Sequence, residues 1–188
     1  MIDLKKMRHF TFIFFTSFSF FVCAKASETI DLKTDSVYQL KSKWMSHQNE
    51  KKQLLDFMGH EVLVAMMYTR CQHTCPLITS KMKSIEQANA KTKKLQVIMV
   101  SFDSDRDTPS HLSAYFKKMH MQKNWTLLTG TESDVRELAA ILGVNYKKDS
   151  NGEFSHSNVI TLLGSDGVIK GQLRSLNEDI NKIVDLVH

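Results

Sequence analysis

The sequence predicts one α/β domain around a central sheet, and three observations carry that expectation. Residues 62–68 are an unbroken apolar run of strand length and 95–100 a second run apolar but for Gln96, the pattern of strands covered by helices on both faces. Each run leads into a loop, a proline suited to a first helical turn, and apolar positions recurring on one helical face. Near the C-terminus, an apolar run at 159–163, the turn signal Gly164-Ser165-Asp166-Gly167 and a return at 168–171 read as an antiparallel hairpin. The size agrees: 188 residues, 42% hydrophobic and 24% charged, make one domain and exclude collagen, low-complexity chains and cysteine-dense miniproteins.

Ahead of that domain, residues 1–26 read as an export signal. Lys5, Lys6 and Arg8 precede an apolar stretch at 10–22 that holds seven of the eleven Phe, and Ala24-Lys25-Ala26 offers small residues for cleavage. The stretch is short of the roughly 20 residues of a membrane-spanning helix, which favours removal over retention as an inner-membrane anchor. Cys23 lacks the usual lipoprotein neighbours. A mature domain of 27–188 follows, periplasmic or otherwise extracytoplasmic. Losing four basic and one acidic side chain lowers the formal charge from +5 to +2, and the remaining lysines form no aromatic-laced stripe, which argues against nucleic acid.

Within the mature chain, 36–40 reads as a short N-terminal strand and 51–57 as a helical turn or loop. Strand 62–68 leads through the turn 69–75 to a helix at 76–90, with Ile78, Met82 and Ile85 on one face. Strand 95–100 and the acidic loop 101–107 precede a helix capped by Thr108 and opened by Pro109. A short apolar segment, 125–128, precedes a helix that opens at the capping box 131–134 and ends at Gly143. Asn151-Gly152 marks a turn, and Asn177 is expected to cap a last helix carrying Ile180, Ile183, Val184 and Val187. This order resembles a thioredoxin-like three-layer fold with a central mixed sheet, a short N-terminal strand extension and an inserted helical unit.

Two cysteines remain in the mature chain, Cys71 and Cys75, with three residues between them at a helix start, where the dipole favours thiolate. Position supports a reversible disulfide, a pair of soft ligands for a thiophilic metal such as Cu(I), or a structural bridge. Met66, Met67, Met82, Met99 and Met119 follow core periodicity and are better core fillers than ligands. Met45, near Trp44 and His47, fits either a weak secondary metal site or an amphipathic surface segment. No Walker motif, HExxH or Gly-rich dinucleotide loop is present.

The run Tyr68-Thr69-Arg70-Cys71-Gln72-His73-Thr74-Cys75-Pro76 resembles the cysteine motif of the Sco/SenC copper-chaperone family. Residues 101–109, 125–130 with 138–146, and Phe154-Ser155-His156-Ser157 resemble further family motifs, so the likeness runs from about 36 to 187. The resemblance implies copper, as Cu(I) or Cu(II), held by Cys71, Cys75 and His156, with Asp103 as a nearby acidic residue. It implies delivery of copper, or reduction of cysteines, during assembly of the binuclear copper centre of cytochrome c oxidase. The implied partners are a cuproenzyme apo-subunit or another periplasmic copper chaperone, and a thiol reductant protein, with the chain itself a monomer. In that alternative role, thiol-disulfide exchange, Cys71 and Cys75 form the catalytic redox pair. Gln72 and His73 stand where the family commonly has Pro and Asp. His73 is expected to be an exposed loop residue rather than a supplementary ligand. His156 lies 81 residues beyond Cys75, and spacing alone does not join them.

Overall fold

Ser36 decides how the first described element begins. Its Oγ accepts a hydrogen bond from the Tyr38 N–H at 3.2 Å and donates to the Asp166 carbonyl at 2.6 Å. This cap winds Val37–Gln39 into a 3-10 turn that buries Val37 and Tyr38, where a strand was expected. The N-terminal strand lies a few residues later: β1 (Trp44–Ser46) pairs antiparallel with the two-residue β2 (Lys51–Lys52), and Leu54–Phe57 forms another 3-10 turn. The computed structural model describes residues 31–90 and 95–188. The expected leader at 1–26 lies outside them, and no helix among the described residues is long and apolar enough to cross a membrane.

β3 (Val62–Met67) buries all six residues, as its unbroken apolar run requires. α1 (Thr74–Ala88) starts two residues earlier than expected. Pro76 therefore sits third in the helix, still in the first turn, where backbone N–H groups have no intrahelical acceptor. Ile78, Met82 and Ile85 lie fully buried along its inner face. β4 (Gln96–Ser101) runs parallel to β3, and α2 (Pro109–Lys118) follows with Thr108 as its cap.

The apolar segment after α2 is a full strand, β5 (Trp125–Gly130), parallel to β4 on one side and antiparallel to β1 on the other. α3 (Glu132–Leu142) is capped by Thr131, whose Oγ1 accepts from the Asp134 N–H, and ends at Gly143 in the left-handed region, φ 66°. β6 (Tyr146–Lys148) and β7 (Phe154–His156) then form a separate antiparallel hairpin around the Asn151-Gly152 turn. β8 (Ile160–Leu163) and β9 (Ile169–Leu173) make the expected C-terminal hairpin. The seven-stranded mixed sheet has the order β2-β1-β5-β4-β3-β8-β9.

The last helix is a single turn, α4 (Asn181–Val184), and does not begin at Asn177. Two side chains explain this. The Lys81 ammonium takes the carbonyls of Leu176 and Glu178 outside a helix, and Asp179 Oδ1 accepts from the Asn181 N–H at 3.0 Å, where α4 begins.

Candidate metal centre

The sheet order brings three loops together. β3 and β4 are parallel neighbours, so the loop 68–73 and the loop 102–108 leave the same sheet edge. β8 runs antiparallel beside β3 with Ala65 opposite Ile160, so the residues before Ile160 reach that edge too. Chain reversal thus closes the 81-residue gap between Cys75 and His156.

At this edge the ligand atoms of Cys71, Cys75 and His156 all lie within 4.8 Å of one another. Cys75 Sγ stands 3.8 Å from His156 Nε2. Both cysteines are free thiols; Cys75 is fully buried, Cys71 is 8% exposed, and His156 is half-buried. His156 Nδ1 lies 3.1 Å from the Ser157 carbonyl, which can only accept, so Nδ1 carries a proton. In the neutral ring this leaves the Nε2 lone pair facing the sulfurs.

The two thiols differ in charge. Cys71 Sγ accepts the Cys75 backbone N–H at 3.3 Å. Donation from the Cys75 thiol, with backbone N–H groups of the helix start, outweighs burial and lowers the Cys71 pKa to about 4. Cys75 is pushed far up, first by its role as donor to Cys71 and then by burial. The resting pair is one thiolate and one thiol.

The loops are locked by groups that carried no distinct sequence signal. Asp107 is fully buried; its Oδ1 accepts Thr69 Oγ1–H at 2.5 Å, and its Oδ2 accepts the Thr69 N–H at 2.9 Å and Ser101 Oγ–H at 2.6 Å. It ties the start of the cysteine loop to the end of β4. Phe102 packs against the rings of Tyr146, Phe154 and His156 at centroid distances of 5.2, 5.0 and 5.0 Å. Tyr68 stacks obliquely on Phe154 and donates to Glu153 Oε2 at 2.7 Å. Burial, and then the Glu153 contact, raise the Tyr68 phenol pKa, which keeps that donor protonated.

Residues 29–188 match the family model described as SCO1/SenC. The chain belongs to the SCO1/SenC family. Among its relatives, the mitochondrial SCO2 homolog of Danio rerio is 27% identical over 143 residues, 72% of this chain and 50% of that protein. The chain therefore spans about half the length of that relative. Arabidopsis thaliana ScoI, solved with copper bound, superposes with a TM-score of 0.68 at 19% identity, covering 77% of this chain and 91% of that one. BsSco, described with a disulfide switch and as a member of the Sco family of cytochrome c oxidase assembly proteins, gives 0.67 at 22%, covering 77% and 88%. At these identities the structural likeness bears on the fold, which is the thioredoxin-like fold of Sco proteins.

Asp103, His73 and His47 are not among the three donors grouped within 4.8 Å. Asp103 is buried, but its Oδ2 faces Arg106 Nε at 2.5 Å and its Oδ1 is 3.9 Å from Lys148 Nζ. Burial raises its pKa against the pull of Arg106. His73 is exposed at the cap position of α1 and makes no capping hydrogen bond. His47 is buried, stacked on Phe116 at 4.3 Å, and its Nδ1 accepts the Leu127 N–H at 3.3 Å. That nitrogen is engaged by backbone; Trp44 and Ser46 are buried beside it, while Met45 is half-buried. Met66, Met67, Met82 and Met99 are buried, as core fillers should be.

Proposed function

We propose that this chain is an exported copper metallochaperone that binds copper through Cys71, Cys75 and His156. It delivers the ion to, or assists assembly of, a cuproenzyme such as the binuclear copper centre of cytochrome c oxidase. The convergence of two thiols and one imidazole nitrogen within 4.8 Å carries this reading. Two thiolates suit Cu(I), and the added nitrogen suits Cu(II), so the trio serves both oxidation states. The Cys71 thiolate is ready to take the ion, and copper binding displaces the proton of the Cys75 thiol. Three donors from two segments, the cysteine loop running into α1 and the end of β7, leave room for an incoming thiolate or thioether of the acceptor to bind before a resident donor leaves. The relatives' printed descriptions, copper-bound ScoI and BsSco among oxidase assembly proteins, support the same reading. We also propose that residues 1–26 are a removable export signal ahead of the domain 27–188.

Titration with Cu(I) against a competing chelator tests the reading. The wild type should take one copper, and Cys71→Ala or Cys75→Ala should abolish binding. Equal affinity of the wild type and the double variant would sink the proposal. His156→Ala should weaken Cu(II) more than Cu(I), read from Cu(II) absorption and electron paramagnetic resonance.

A second reading, reduction of cuproenzyme cysteines, is favoured by the low Cys71 pKa. The Cys71 thiolate would attack a partner disulfide, forming a mixed disulfide and releasing one partner thiolate, which takes a proton. Cys75 would then lose its proton and attack Cys71 Sγ, leaving the partner fully reduced and Cys71–Cys75 oxidised. A copper-free protein that exchanges no disulfide in stopped flow rules this out.

A further inference from the structure

A guanidinium meets the turn of the hairpin that carries His156, beside the Tyr68–Glu153 hydrogen bond and the Lys148 ammonium, which lies 5.6 Å from the centre of the Phe154 ring. Arg106 donates through Nε to Asp103 Oδ2 at 2.5 Å and through Nη2 to the Gly152 carbonyl. Its guanidinium carbon lies 5.9 Å from the centre of the Phe154 ring, two residues before His156. The anchor on the other side is firm, because the Asp103 side chain is fully buried. Gly152 is suited to the contact twice over: its φ is +78°, and a Cβ there would come within 2.9 Å of Arg106 Nη1.

We propose that Arg106 is a positioning residue for the donor trio: by bridging Asp103 to the Gly152 turn and covering Phe154, it holds the His156 ring 3.8 Å from Cys75 Sγ. The inference rests on the reading of His156 as a copper donor. A planar fork is what the task needs, since one group must satisfy a carboxylate and a carbonyl on different loops while lying on a ring. A lysine keeps the charge but offers no such plane.

Three variants test this: Arg106→Gln, Arg106→Lys and Gly152→Ala, the last disturbing the same contact from the hairpin side. In the metal-free protein, imidazole nitrogen resonances should show a fixed Nδ1–H tautomer of His156 in the wild type and an averaged one in the Gln and Ala variants. Added Cu(II) should bind those two variants about tenfold more weakly, with reduced nitrogen coupling in the paramagnetic resonance spectrum. Cu(I) affinity should change by less than about threefold, because both thiols are untouched. The Lys variant should fall between, and it carries the test if the Gln variant fails to fold. Unchanged His156 resonances and Cu(II) affinity in the variants would overturn the proposal, as would equal losses for Cu(I) and Cu(II). If His156→Ala leaves the wild-type nitrogen coupling intact, the donor reading fails instead, and the metal-free spectra still decide whether Arg106 positions the ring.

Discussion

Cys71 and Cys75 stand four positions apart at one helix entrance, yet they ionise in opposite senses. Cys71 receives the Cys75 thiol and backbone N–H groups, whereas Cys75 donates from a fully buried position. The pair therefore shares one proton, and pH enters through Cys71. Its depressed pKa, about 4, keeps it a thiolate from neutral pH downward until that value is approached. Iodoacetamide should label Cys71 ahead of Cys75, at a rate nearly flat between pH 7 and about pH 5. In the unfolded chain the rate should fall about tenfold per pH unit over the same range. Mass spectrometry of the labelled protein checks both, and a Cys71 rate that tracks the unfolded chain contradicts the assignment.

Elements owe their placement to a few buried polar ties as well as to apolar faces. Asp107 satisfies three donors from Thr69 and Ser101, joining the cysteine loop to β4. Asp107→Ala leaves the buried Ser101 hydroxyl and the half-buried Thr69 donors without this partner, and should cost about 1–3 kcal/mol in urea unfolding. It should also weaken Cu(I) binding, because the loop that presents Cys71 starts at Thr69. α1 is held differently, by Ile78, Met82 and Ile85 against the sheet. Met82→Ala should cost about 2–5 kcal/mol and leave copper stoichiometry unchanged, since Met82 lies about two turns further along the helix than Cys75. Comparing the two variants separates a tie that serves the site from packing that serves the fold.

At the scale of the molecule, the donor trio joins segments far apart in sequence, so metal and fold should be linked. Copper that binds the folded state alone adds stability by mass action, about 2.7 kcal/mol when free ion is 100 times the dissociation constant. Cu(I) should therefore raise the melting temperature of the wild type and leave the Cys71→Ala, Cys75→Ala double variant where it was, as calorimetry would show. The full chain expressed in a bacterium should be recovered from the periplasm lacking residues 1–26, and the intact mass tests that.

The sequence by itself determined the elements whose signals lie within a turn or two. The apolar runs of β3 and β4, the caps Thr108 and Thr131, the stop at Gly143 and the β8–β9 turn are local chemistry, and each stands where it was read. The cysteine pair was legible for the same reason, being adjacent in the chain. What depends on distant partners was not: Ser36 turns 37–39 because it reaches Asp166, β1 exists because β5 pairs with it, and α4 is cut short by Lys81 and Asp179. The β6–β7 strands are half-exposed and held by an aromatic cluster drawn from other loops, so no periodicity marked them. The position of His156 belongs to this second group. Its place beside Cys75 follows from β8 running antiparallel to β3 and from a clamp at Gly152, because neither pairing register nor a side chain from another loop is encoded within reach of residue 156.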